Sequence, residues 1–358
     1  MQAVVRRAGA LICAEVEDPI PGHGQVRLKT LACGICGSDL HVHRFAQRVA
    51  DAAVKAGRRV GIDPARDIVF GHEFCGQVLD YGPGAERRFE PGARVIALPY
   101  ATGPNGRETV GLSHRFPGGY GELVCVDASM LMAVPDHIPD AHAAAVEPFA
   151  VGAHAVAQAD LDQDSVAMVI GCGPVGLAVI AALKARGFGP IVAADYSALR
   201  RAAAERLGAD LVIDPAVQSP HLQWPAQGVI VPMLEREAAQ LAGRRVRRPI
   251  VFECVGAPGV IQGIIEGVAP GAQVIVVGVC MEQDHFEPMV AINKQLTLRF
   301  VAAYTAPEFA QVLADIAEGR IDAAAMTSRT VGRAGVAAAF EALGGGQDIK
   351  VTIASGRA

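Results

Sequence analysis

Aromatic residues are scarce in this chain: they fill 5% of its 358 positions, with a single tryptophan. The 51% hydrophobic content is therefore mostly Ala, Val, Leu and Ile, which suits parallel sheets covered by close-packed helices. No run of about eighteen apolar residues occurs, so no membrane-spanning helix is expected. A net charge of −5, with neither an acidic tail nor a long basic arm, speaks against nucleic acid or a membrane surface as partner. The one dense basic run, Arg244 to Arg248, reads as a solvated helix end or loop before a strand. The start of the chain lacks the basic, apolar and small-residue pattern of a secretory leader, and a cytoplasmic location is expected. Closely paired cysteines are few. Eight are spread over positions 13, 33, 36, 75, 125, 172, 254 and 280, which fits reduced thiols better than a disulfide framework, and only Cys33 and Cys36 are near neighbours.

A chain of this length is too long for one core, so two domains are the natural expectation. The first hundred residues read as short strands broken by Gly and Pro: Gln2 to Arg6, Gln25 to Cys33, Glu73 to Tyr81 and Arg94 to Leu98. From Ser165 the texture changes to strands at 166–170, 191–195, 211–213, 250–254, 274–277 and 295–301, with helices at 175–186, 199–207 and 260–268. That alternation predicts an α/β fold with a doubly wound parallel sheet of six strands, together with an irregular, mostly β module. A helix from Glu308 to Ala317 follows, and a last apolar strand, Lys350 to Ile353, has no sheet position left and is expected to return to the first module.

Gly171-Cys172-Gly173-Pro174-Val175-Gly176 follows an apolar strand and opens a helix, the context a dinucleotide fingerprint requires. Gly171 serves the tight turn, Gly173 the approach of a pyrophosphate, and Gly176 the packing of helix on strand. Pro174 has no amide proton to lose near the helix start. Asp195 closes the next strand, where a carboxylate accepts from ribose hydroxyls and repels a 2′-phosphate, so NAD is favoured over NADP. Arg200, five residues on, either contacts the adenine ribose side or tolerates a phosphate.

Upstream, Cys33-Gly34-Ile35-Cys36-Gly37-Ser38-Asp39-Leu40-His41 and Gly71-His72-Glu73 offer a thiolate, an imidazole and a carboxylate, the ligand types of a catalytic zinc. A four-thiolate structural site needs a second close cysteine pair, which is absent, and a redox C-x-x-C lacks its helix N-terminus. Zinc and a nicotinamide on one chain imply alcohol or carbonyl redox chemistry.

These residues resemble the zinc-dependent medium-chain dehydrogenase family, which includes alcohol, polyol and threonine dehydrogenases, over nearly the whole chain. Gly118-Gly119-Tyr120-Gly121-Glu122, Phe252-Glu253-Cys254-Val255-Gly256 and Lys294-Gln295-Leu296-Thr297-Leu298 add to the match. The resemblance implies a GroES-like catalytic domain over 1–151, completed by 304–358, and a Rossmann domain over 152–303. It implies Cys36 and His72 as zinc ligands, Glu73 as a ligand or near-ligand with a catalytic part, and Glu147 at a fourth position where the polyol branch has a glutamate. It carries the cofactor site on to Val255 and Val277, and a proton relay to Ser38 and His41, while Asp39 holds its loop through an Asx-type turn. Relatives often hold a second, structural zinc through four cysteines in the lobe between Leu98 and Gly118. That lobe has no cysteine here, so one zinc per chain is expected.

Cys36 and His72 stand 36 positions apart, on the order of fifteen more than the family pattern suggests. The extra stretch, roughly Phe45 to Arg59, has helical texture with Val49, Ala53 and Ala56 at helical spacing, and either covers a substrate cleft or is a surface excursion. The strand at Gln295 to Val301 is expected at an open sheet edge, pairing with its twin in a homodimer or homotetramer. The leading function is hydride transfer between a secondary alcohol, diol or polyol and NAD. The competing readings are a carbonyl reductase working in reverse and a nucleotide-binding subunit without catalysis.

Overall fold

The structure, a computed structural model, describes residues 1–57, 61–104 and 106–354. Two compact units divide the chain: Met1–Glu147, Phe309–Ala317 and the segment from Thr327 onward form one, and Pro148–Glu308 with Glu318–Met326 the other.

The second unit carries six parallel strands in the order Leu211–Ile213, Ile191–Ala194, Ser165–Ile170, Arg248–Glu253, Gln273–Val276, Thr297–Phe300. This is the doubly wound order, with the first strand beside the point where the winding reverses. Its central strands are buried on both faces, which is why they read as continuous apolar runs. The helix Pro174–Ala185 starts on Gly173 as N-cap with proline in its first turn. It ends where Gly187, at φ +69°, donates to the Lys184 carbonyl and Phe188 to that of Leu183. Leu177, Val179, Ile180 and Leu183 are fully buried, each worth roughly 1.5–3 kcal/mol of apolar burial. Thr297–Phe300 is the sheet's edge strand, with Phe300 67% exposed. The basic run is less solvated than its composition suggests. Arg245 pairs with Asp164, Arg248 with Asp162, and Arg247 donates to the Gln227 carbonyl.

In the first unit, Gln25–Gly34 is the spine of a seven-stranded sheet. It pairs antiparallel with Glu73–Tyr81 on one side and with Leu123–Asp127 and Val351–Ala354 on the other, so the trailing strand does return to this module. Register sets Gly34 opposite both Glu73 and Thr352. A second sheet holds Ala10–Glu15, Gln2–Arg7 and Ile68–Val69. Ala10–Glu15 and the hairpin Tyr100–Gly103 with Gly106–Thr109 escaped the sequence reading because they are largely exposed and carry no clear apolar alternation.

The helix N-terminus that the Cys33/Cys36 pair was expected to lack is present: Cys36 caps the helix Gly37–Lys55, and the inserted stretch continues that helix out of the metal motif. A kink falls at Phe45 (φ −132°, ψ 35°), where the extra material starts. The buried stripe is Asp39, Val42, Ala46 and Ala50 rather than the one expected. Val49 and Ala53 are half-buried and Ala56 is exposed, because the helix starts earlier and Asp39 and Val42 set its phase. Arg58 and Arg59 lie outside the described residues. Beyond them the chain is tied to this unit: Arg6 donates to the Pro64 carbonyl, Arg7 pairs with Asp67, and His114 donates its backbone N–H to the Gly61 carbonyl. The cysteine-free lobe is braced by side chains. Asp127 accepts from the Thr102 amide and hydroxyl, and Glu108 accepts from Ser113 and pairs with Arg115. Among the described residues, no helix is long and apolar enough to cross a membrane.

Candidate active site

Cys36, His72 and Glu73 each offer a ligand atom, and these atoms lie within 4.8 Å of one another. Local backbone explains how residues so far apart meet. Cys36 ends the turn after Gln25–Gly34, and Glu73 begins the strand paired with it. The fit needs glycine at position 34, since a Cβ there would lie 2.0 Å from Glu73 Oε2. Cys33, one strand position before that glycine, points into the core. Side chains added at Gly71 or Gly119 would meet its sulfur at 2.7 and 2.8 Å, and burial pushes its thiol pKa well up.

Three further side chains surround the cluster. Asp39, fully buried, accepts the Cys36 amide at 3.0 Å and the Tyr120 hydroxyl at 2.9 Å, and its other oxygen lies 3.5 Å from His72 Nδ1. Lys350 donates to Glu73 Oε1 in a pair closed off from solvent. Burial opposes the charge on His72, but Cys36 and Asp39 outweigh it and raise the imidazole pKa well above its usual value. Burial likewise works against the Lys350 ammonium, and Glu73, Cys36 and Glu147 more than offset it. The pocket therefore draws positive charge. Its donor set fits a zinc ion: three ligands of the right types leave a position open, and Glu73 Oε2 is buried with no hydrogen-bond partner.

Glu147 stands in the first turn of Val146–Ala157, 8% exposed, close enough for its charge to act on Lys350, but it is not one of the three convergent ligands. Ser38 Oγ lies 3.4 Å from His72 Nε2. His41 follows one turn later on the same helix, half-buried, and burial with the nearby Arg44 lowers its pKa.

The nucleotide loop in the second unit is built from backbone. Gly171 takes φ +91°, and a Cβ at Gly176 would sit 1.8 Å from its carbonyl oxygen. A Cβ at Gly173 would meet nothing within 4 Å, so the space beside this N-cap is open for a phosphate group. Pro174 and Val175 form the first turn of the helix. Asp195 is 8% exposed and accepts from the Cys172 amide (2.7 Å) and the Ser197 amide (2.8 Å), with Arg200 Nη1 3.9 Å away. Arg200 Nε is buried without an acceptor. Val255 is 46% exposed, whereas Val277 is buried and donates its amide to the Glu253 carbonyl. The Glu253 carboxylate also braces the loop, accepting from the amides of Val255 and Gly256.

Sequence reasoning missed Lys350, Tyr120 and Glu253 as parts of these sites, and saw Asp39 only as a loop residue. Lys350 had a visible signal: a lone ammonium in the otherwise β-branched, uncharged run Ile349 to Ile353. Tyr120 had none, since an aromatic between glycines reads as core.

Known proteins bear on this geometry. A family profile described as "Alcohol dehydrogenase GroES-like domain" matches residues 22–136, and one described as "Zinc-binding dehydrogenase" matches 174–318. The chain is 30% identical over 324 residues to (R,R)-butanediol dehydrogenase of Bacillus subtilis, covering 88% of each protein. It is 29% identical over 317 residues to sorbitol dehydrogenase of Ovis aries, covering 85% of this chain and 82% of that one. The crystal structure of 2R,3R-butanediol dehydrogenase from Bacillus subtilis superposes with a TM-score of 0.77 at 27% identity, over 99% of both chains. The chain belongs to the zinc-binding alcohol dehydrogenase family of medium-chain dehydrogenases, near its butanediol and sorbitol members.

Proposed function

We propose that the protein oxidises a secondary alcohol, diol or polyol with NAD, using one zinc ion per chain. The observation that carries this reading is the convergence of Cys36, His72 and Glu73 within 4.8 Å. A zinc ion held there supplies Lewis acidity, which lets an alcohol lose its hydroxyl proton near neutral pH, and the nicotinamide supplies the hydride acceptor. Cys36, His72 and Glu73 hold the ion, and Glu147 stands by as a further carboxylate.

The remaining work belongs to the chain. Ser38 offers a hydroxyl that both accepts and donates, 3.4 Å from His72 Nε2. It takes the substrate proton and passes it toward His41, whose lowered pKa keeps the imidazole neutral and ready to accept at pH 7. Gly173 receives the pyrophosphate, and Asp195 with Arg200 faces the adenosine side. NAD is preferred because a 2′-phosphate would approach the Asp195 carboxylate.

Metal analysis of the purified protein, with NADH absorbance followed on diols, polyols and aromatic alcohols, tests the reading. About one zinc per chain and turnover of a diol or polyol are expected. Full turnover by Cys36→Ala would remove the zinc mechanism.

A further inference from the structure

We propose that Tyr120 is a positioning residue for the metal ligands, acting through Asp39; this deepens the zinc reading above and rests on it. The Tyr120 hydroxyl, in a residue with no solvent exposure, donates to Asp39 Oδ2 at 2.9 Å. That same oxygen takes the Cys36 amide at 3.0 Å, and Oδ1 lies 3.5 Å from His72 Nδ1. One carboxylate thus links the backbone of one ligand to the ring of another. A carboxylate fully withdrawn from water must be held by protein donors. The Tyr120 hydroxyl makes the shorter of the two side-chain contacts to Asp39, the other being His72 Nδ1 at 3.5 Å.

The consequence is directional. Pinning Oδ2 fixes the plane of the carboxylate, so Oδ1 faces His72 Nδ1 and the opposite ring nitrogen, Nε2, is left for the metal side. Tyr120 is itself immobile. Its ring meets Phe70 and Phe340 edge to face at 6.2 Å each, its amide donates to the Phe70 carbonyl, and its carbonyl accepts from Val4 and from Arg333 Nε. The ring also packs over Gly71, the residue before His72: a Cβ there would fall 2.6 Å from Tyr120 Cδ1, and Gly71 takes φ +104°. The two glycine-flanked motifs therefore interlock, one supplying the ligand and the other the hydroxyl that orients it.

Tyr120→Phe in the full chain keeps the ring and deletes only the donor. The readouts are the dissociation constant for zinc, by competition with a chromophoric chelator, the visible spectrum of the cobalt-substituted protein, and the unfolding midpoint. A lowered but still cooperative unfolding midpoint, because buried Asp39 loses a donor, a zinc dissociation constant raised about three- to tenfold and shifted cobalt bands are expected, less than the 10–100-fold typical of groups that touch a ligand directly. Asp39→Asn should fall within that larger range, and adding Tyr120→Phe to it should cost little more, because the hydroxyl acts through the carboxylate. Parental zinc affinity and cobalt bands in Tyr120→Phe would overturn the proposal, as would a full additive loss on Asp39→Asn. A parent protein that binds neither zinc nor cobalt would overturn the zinc reading and this role together. A parent that binds metal beside a silent Tyr120→Phe removes the tyrosine's role alone.

Discussion

The metal cluster and the nucleotide loop reach their chemistry by opposite routes. The cluster is made of side chains gathered from residues 36, 39, 72, 73, 120 and 350, nearly all buried, with charges that balance only against one another. The loop is made of consecutive residues whose amides and bare glycines do the work, and its carboxylates, Asp195 and Glu253, serve largely to brace backbone. A site of the first kind fails electrostatically when one partner is lost. One of the second kind fails sterically, and only where an added atom has nowhere to go.

Four substitutions probe that contrast. Cys36→Ala takes away the one thiolate of the donor set. We expect zinc to be lost and kcat/KM to fall by at least about 10⁴-fold, read by metal analysis and steady-state kinetics. In the zinc-free protein, Lys350→Met leaves the Glu73 carboxylate buried and unpaired, which costs about 3–5 kcal/mol in denaturant unfolding. A midpoint equal to the parent's would show that Glu73 does not depend on its ammonium partner.

The second unit offers a contrast within itself. His221 is half-buried beside Trp224 and near Lys294, and its burial together with that ammonium lowers its pKa to about 4. The unfolded chain takes up this proton near pH 6.5 and the folded one only near 4, so stability falls as pH drops through that window. The loss is on the order of 3 kcal/mol. His221→Leu should flatten the dependence of the unfolding midpoint on pH between those limits, and an unaltered slope would contradict the assignment. The smallest effect belongs to Gly173→Ala. The added methyl meets no protein atom, so stability should hold while NAD affinity drops roughly tenfold, about 1.4 kcal/mol, by titration calorimetry. Equal affinity would mean that the pyrophosphate does not use this approach.

The same contrast explains what could be read from residues alone. The nucleotide loop was legible because its determinants are local: a strand, three glycines at fixed spacing, a proline and an acidic residue one strand on. Cys36, His72 and Glu73 were legible as types, each in a glycine-rich motif. The partners that set their charge and orientation were not, because Tyr120 reaches the cluster from a turn bonded to Phe70 and Lys350 from the residue just before the last strand, and no spacing rule connects residue 73 to residue 350. The inserted helix shows another limit. Its texture was apparent, but its phase was fixed upstream, where Cys36 caps it and Asp39 turns inward.

Glu73 and Lys350 are 277 residues apart, with the whole parallel sheet encoded between them. During synthesis Glu73 therefore emerges long before its counter-charge, and the nucleotide unit has time to fold in the interval. The metal pocket reaches electrical balance only when the last strand docks, which makes it one of the final parts of the molecule to mature. A nascent chain stalled before residue 350 would carry a formed nucleotide loop and a pocket still short of its cation.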